Sequence, residues 1–168
     1  GRVDRFEEAL RLVERAWSGE TFSFEGKHYH VKDYAGTPVP AKRPRLLVGG
    51  GGPRMMDLAG QHADTVSIIF QLTGGGMGPG EVPDSSEAVM AKQIARLREK
   101  AGDRFPEIEL STMIFWHGVT EKPLEAIAEN AASVGYTPEE ALASMHFLYG
   151  PEEWMVEELQ RRREALGL

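Results

Sequence analysis

Two apolar runs, Arg45-Leu46-Leu47-Val48 and Thr65-Val66-Ser67-Ile68-Ile69-Phe70, limit what this chain can build more than any other feature. Both are short and aliphatic or β-branched, the pattern of a strand covered on both faces. Between them Met55 to His62 reads as one helix, opened by Pro53 in its first turn, where a missing N–H costs nothing. Two such strands with a single helix between them form a βαβ unit, and these close right-handedly in parallel sheets. Strand and helix patterns go on alternating to the end of the chain. The fold class is therefore α/β, either a doubly wound sheet or a (β/α)8 barrel.

The turn inside that unit is Gly49-Gly50-Gly51-Gly52-Pro53-Arg54. Glycines let backbone N–H groups approach a ligand closely, the helix N-terminus is electropositive, and Arg54 adds a cation. A phosphate-bearing guest suits such a turn; the alternative is a plain tight turn between strand and helix. Two familiar phosphate motifs fail here. A P-loop needs Lys then Ser/Thr after its last glycine, where this chain has Pro53 and Arg54. The dinucleotide pattern G-x-G-x-x-G, started from Gly49 or Gly50, ends on Arg54 or Met55. A phosphate seat of the barrel type, a loop after a strand with a helix N-terminus, survives.

Around this unit the chain reads in order. Val3, Phe6, Leu10, Val13 and Trp17 recur at three and four, which predicts an amphipathic helix over 2–17. Thr21 to Phe24 and His28 to Val31 alternate around Glu25-Gly26-Lys27 as a small hairpin. His28 and His30 then share a strand face, a spacing open to a metal ligand pair or to two solvent-facing side chains. Residues 32–44 hold Pro38, Pro40 and Pro44 and form an extended connector. Residues 71–83 are a glycine-rich loop, a lid or a disordered connection. Asp84 to Glu87 caps a helix to Gly102 that turns Val89, Ile94 and Leu97 inward. Residues 107–116 predict a third strand. Helices from Thr120 to about Val134 and from Thr137, an apolar run Met145 to Tyr149, and a last helix to Leu166 complete the chain.

At 168 residues the chain reads as one α/β unit, 1–168, with an ordinary apolar content of 41%. The absence of cysteine excludes disulfides and thiolate metal sites and fits a reducing cytoplasm. No apolar run reaches a membrane span, and the net charge of −7 argues against a nucleic-acid partner. The chain opens inside a helix pattern without a methionine, and reads as a piece of something longer.

The run Arg2 to Leu10, Leu12, Trp17 to Glu20, Phe24 to Tyr29, Pro38 to Pro44, Leu46 to Arg54 and Ala63-Asp64 resembles the luciferase-like monooxygenases. The likeness is strongest to the branch using coenzyme F420, with flavin mononucleotide (FMN) users as neighbours. It implies a partial (β/α)8 TIM barrel of the bacterial luciferase type, carrying about strands five to seven with their helices. It implies an oxidoreductase that transfers hydride to or from the cofactor ring, acting on a small-molecule substrate. By the resemblance Gly49, Gly50, Gly51, Gly52 and Arg54 surround the cofactor phosphate, and Ile68 to Gln71, Phe70 included, wall the ligand pocket. Strands one to four, which supply most residues around the reacting ring, have no counterpart, so the fragment alone is expected to be inactive. The exposed edges of a half-barrel imply a homo-oligomer or a complementary barrel half.

Candidates for chemistry within the chain are few. His117 follows the third strand, where a base could sit or a histidine could simply be exposed. His62 suits a helix C-terminus, His146 has apolar neighbours and reads as packed, and Met55-Met56 reads as core filling. Asp64 precedes its strand, at the end opposite the site.

Overall fold

A computed structural model of the chain describes residues 1–71 and 83–168. The loop expected over 71–83 therefore lies outside the described residues, apart from its two end positions. The backbone divides into two compact units, Gly1–Leu46 and Leu47–Leu168.

The first unit holds helix α1 (Arg2–Trp17) and an antiparallel pair, β1 (Phe22–Glu25) and β2 (His30–Tyr34). Its apolar stripe buries Leu10, and the turn between the strands is held by one side chain. The Glu8 carboxylate accepts N–H bonds from Lys27, His28 and Tyr29 at 3.0, 2.8 and 3.1 Å. Because that turn takes in His28, only His30 stands on a strand, and the shared face expected for the two histidines does not form. His30 Nδ1 lies 2.8 Å from Glu25 Oε2 instead. Among the described residues no three His, Cys, Asp or Glu side chains gather as a metal site.

The second unit opens with the expected βαβ arrangement. Strand β3 (Leu47–Gly50), helix α2 (Pro53–His62) and strand β4 (Thr65–Ile68) are followed by helix α3 (Glu87–Ala101), a 3-10 turn over Gly102–Glu107, and strand β5 (Glu109–Thr112). The three strands are parallel in the order β3-β4-β5, with Gly50 opposite Ile68 and Ile68 opposite Thr112. Val48, Val66, Ile68 and Leu110 from the strands are buried together with Met56, Ala59, Ile94 and Leu97 from α2 and α3. On α3 it is Met90 and Gln93, rather than Val89, that are buried with Ile94 and Leu97. The last carbonyls of α2 have no partner within the helix. Arg104 supplies one, donating from Nη1 to Gly60 O and Gln61 O and from Nη2 to Ala63 O at 2.8, 2.7 and 3.0 Å.

The third strand expected over 107–116 is two strands in two sheets. After β5 the chain breaks at Met113–Phe115 and resumes as β6 (Trp116–Val119), which pairs in parallel with β7 (Phe147–Gly150). The cause is a change of backbone partner. Phe115 N and Trp116 N both donate to His146 O, at 2.9 and 3.5 Å, and this draws the chain onto the segment leading into β7. Helices α4 (Pro123–Ser133) and α5 (Pro138–Ala143) cover this pair, and α6 (Glu152–Leu166) ends the chain. Thr137 opens α5 with a reciprocal cap, its hydroxyl accepting from Glu140 N while Glu140 accepts from Thr137 N. The covered face buries Ile127, Ala131, Ala141 and Phe147, with Trp116 stacked on Phe147 at 4.6 Å between centroids. None of the described helices is long and apolar enough to cross a membrane.

Candidate functional site

The glycine turn sits at the carboxyl end of β3, where parallel α/β folds place their ligands. Its division of labour differs from the sequence expectation. Gly49 and Gly50 belong to the strand, and the turn proper is Gly51-Gly52. A Cβ on Gly51 would stand 2.0 Å from Ile69 O and 2.8 Å from Gln93 Nε2, and one on Gly50 would stand 3.1 Å from Met55 Cβ. Packing against backbone demands glycine at Gly51, and at Gly50 it leaves a Cβ only a tight fit. Gly49 and Gly52 differ, because among the described residues a Cβ there would meet nothing nearer than Ser67 O at 3.8 Å and Gln71 Cδ at 4.0 Å. Gly49 is exposed and Gly52 half-buried.

Gly52 is the N-cap of α2, with extended backbone (φ −76°, ψ 152°), and Pro53 takes the first helical position. Its carbonyl accepts from Met55 N and Met56 N at 3.0 and 3.1 Å. Neither the Gly51 nor the Gly52 amide donates to a described residue. Two consecutive N–H groups at the head of a helix form an anion-binding concavity, which fits a phosphate. Arg54 stands on the first turn of α2 with an exposed side chain.

The next wall is β4 and its exit. Ile68, opposite Gly50, is fully buried, and Ile69 N donates to Gly50 O at 3.2 Å. Phe70 packs edge-on against His146 at 5.0 Å between centroids and tilts against Phe115 at 5.8 Å. His117 is the second residue of β6, exposed, and in the other sheet from the glycine turn. It does not stand at the carboxyl end of its strand, which is Val119. Asp64 immediately precedes β4, at its amino end, and its carbonyl accepts from Glu109 N at 3.0 Å.

Two contributors were not singled out from sequence. Gln93 donates from Nε2 to Gly51 O at 2.8 Å and to Ile69 O at 3.0 Å, pinning the turn to the β4 exit. A glutamine between Met90 and Ile94 on a buried helix stripe is the signal that could have found it. Arg96 binds Asp57 with two N–H groups, at 2.7 and 2.6 Å, and Pro53 O at 3.1 Å, which fixes the first turn of α2 against α3. Those bonds hold the Asp57 carboxyl below its usual range.

His146 is packed, as its neighbours suggested, and 1% exposed. One ring nitrogen, Nδ1, lies 2.8 Å from Met113 O, a carbonyl that can only accept, so Nδ1 carries a proton. Burial holds its pKa below the ordinary value, and Arg162 adds to this. The unfolded chain binds that proton near pH 6.5 and the folded chain only below it. The His146 contribution is therefore complete above about pH 6.5 and is lost as pH falls from there. Urea midpoints should drop between pH 7.5 and 5.5, and His146→Phe should flatten that slope; an unchanged slope would put its source elsewhere.

A profile of the luciferase-like monooxygenase family matches residues 1–167. The chain is 28% identical over 151 residues to the F420-dependent glucose-6-phosphate dehydrogenase of Tsukamurella paurometabola, covering 82% of this chain and 42% of that one. It is 27% identical over 114 residues to the FMNH2-dependent dimethylsulfone monooxygenase of Pseudomonas fluorescens, covering 68% of this chain and 28% of that one. In structure it resembles an F420-dependent secondary alcohol dehydrogenase in complex with an F420-acetone adduct, with a TM-score of 0.74 at 18% identity, over 98% of this chain and 53% of that one. The chain thus spans less than half the length of the dehydrogenase of Tsukamurella paurometabola and the monooxygenase of Pseudomonas fluorescens, and about half that of the alcohol dehydrogenase.

Proposed function

Since the chain belongs to the luciferase-like monooxygenase family, we propose that the turn after β3 seats the phosphate of coenzyme F420, with FMN as the alternative. The supporting observation is the pair of amides at Gly51 and Gly52, which lead into the first turn of α2 and donate to no described residue. The family is one of oxidoreductases whose relatives carry F420- or FMNH2-dependent activities in their names. The bound ring would supply the hydride chemistry. The residues of this chain would hold the cofactor's tail, with Ile68 and Phe70 closing the wall beside it.

The small, unclosed parallel sheets suit part of a (β/α)8 barrel, its fifth to seventh strands. On this reading the whole protein is a cytoplasmic oxidoreductase acting on a small molecule, working as a homo-oligomer or with a complementary barrel half. Among the described residues no acid or histidine side chain of the glycine turn or the β4 exit is assigned to move a proton to a substrate, and His117 stands in the other sheet. Residues 1–168 should therefore bind cofactor without turnover.

Equilibrium titration of the protein with F420 and with FMN, read by cofactor fluorescence, tests this. Saturable binding of either is expected. Binding of neither would remove the reading. A non-catalytic binding module would give binding too, and differs only in that the completed protein would leave the bound ring's spectrum unchanged under substrate.

A further inference from the structure

Helix α6 carries its charges in two sets. Arg161 and Arg162 are committed within the chain, Arg161 to Glu158 and Glu87, and Arg162 to Glu158 and Met145 O. Glu152 in the first turn and Arg163 in the last are exposed, and neither side chain forms an ion pair or hydrogen bond with a described residue. Between them stand Val156 and Leu159, 50% and 44% exposed. The four follow one another at steps of four, three and four. That spacing lines them up along one face of the helix, apolar at its centre and oppositely charged at its ends. Trp154, the other large apolar side chain exposed on α6, lies on a different face.

Such a face is complementary to itself. Laid antiparallel on the α6 of a second molecule, it sets Val156 opposite Leu159 of the copy and Glu152 opposite Arg163 of the copy. A two-fold axis through the point between Glu157 and Glu158 satisfies both pairings at once, and each pair then occurs twice, as a closed dimer requires. Parallel pairing would instead bring Glu152 onto Glu152 and Arg163 onto Arg163, so the charges also set the direction. We propose that this face of α6 is a dimer interface whose occupant is a second copy of this chain. The contact covers only about 17 Å of helix, which suits a reversible dimer at the small end of interface sizes. The inference rests on the homo-oligomer reading, whose surface it names, and is independent of the cofactor seat.

Sedimentation of residues 1–168 over a concentration series, up to about 1 mM, should show a monomer–dimer equilibrium. Glu152→Arg and Arg163→Glu should each raise the dissociation constant about tenfold or more, since each turns two attractive pairs per dimer into two repulsive ones. Mixed together, the two single variants should form a heterodimer in which every pair is attractive again. The double variant should dimerise about as tightly as the parent. Both changes oppose the helix dipole, so recovery in the double variant cannot come from a firmer helix, and circular dichroism checks each fold. Loss in the single variants without recovery in the mixture or the double variant would overturn the pairing. Dimers indifferent to all of these changes would overturn the surface and leave the homo-oligomer reading standing. A parent that stays monomeric would give the face to another partner, a complementary barrel half included, and both readings would fall.

Discussion

Gly51→Ala is expected to destabilise the protein by about 3 kcal/mol or more, at the upper end of overpacking costs. The added Cβ would stand 2.0 Å from Ile69 O, 2.7 Å from Phe70 C and 2.8 Å from Gln93 Nε2. Two of these are backbone atoms at the end of β4, held in register by the pairing of Gly50 with Ile68, and cannot swing away as a side chain would. Relieving the clash would also open the bonds from Gln93 to Gly51 O and Ile69 O. Gly49→Ala is the internal control. Its Cβ would make only ordinary contact, with Ser67 O at 3.8 Å, so a change within about 1 kcal/mol is expected. Urea unfolding of the two variants decides the matter. Equal effects at the two positions would show that the turn is looser than its close contacts imply.

Arg162→Ala should cost about 3 kcal/mol, by a different route. Arg162 is 5% exposed, with Nε donating to Glu158 Oε1 at 2.7 Å and Nη1 to Met145 O at 3.0 Å. Removing the guanidinium strands the Met145 carbonyl in the interior and leaves a cavity where the stem packed. The carboxylate suffers less. Arg161 donates to Glu158 at 2.7 and 2.9 Å and, with Arg162, holds its pKa down to about 2. Arg162→Met keeps the stem and should recover only the packing share, about a third of the loss. Full recovery by methionine in a urea titration would mean that the hydrogen bond to Met145 O contributes nothing.

The βαβ unit was legible in the sequence because both of its strands are short apolar runs bounded by Pro44, the glycines and Asp64. Helix α1 was legible for a similar reason, its apolar residues recurring at helical spacing with Ser18-Gly19 behind them. The split between β5 and β6 was not. Met113-Ile114-Phe115-Trp116 is continuously apolar, and an apolar run carries no mark of a change of sheet; the break comes from His146, over thirty residues on in the chain. The glycine turn was legible as a place but not in its parts. Four glycines look alike on paper, yet a Cβ at two of them would press on Ile69 and Met55, while at the other two it would make only ordinary contact with described residues. Gln93 was passed over because its importance lies in two carbonyls, Gly51 O and Ile69 O, that are distant in sequence.

The most direct measurement on the phosphate seat is amide chemical-shift mapping of the isotopically labelled protein as F420 is added. The Gly49, Gly51 and Gly52 amides are expected to move first and furthest, with His117 unmoved. Shifts centred on β6 and β7, or F420 binding that leaves Gly51 and Gly52 untouched, would contradict the assignment of this turn as the seat of the cofactor phosphate.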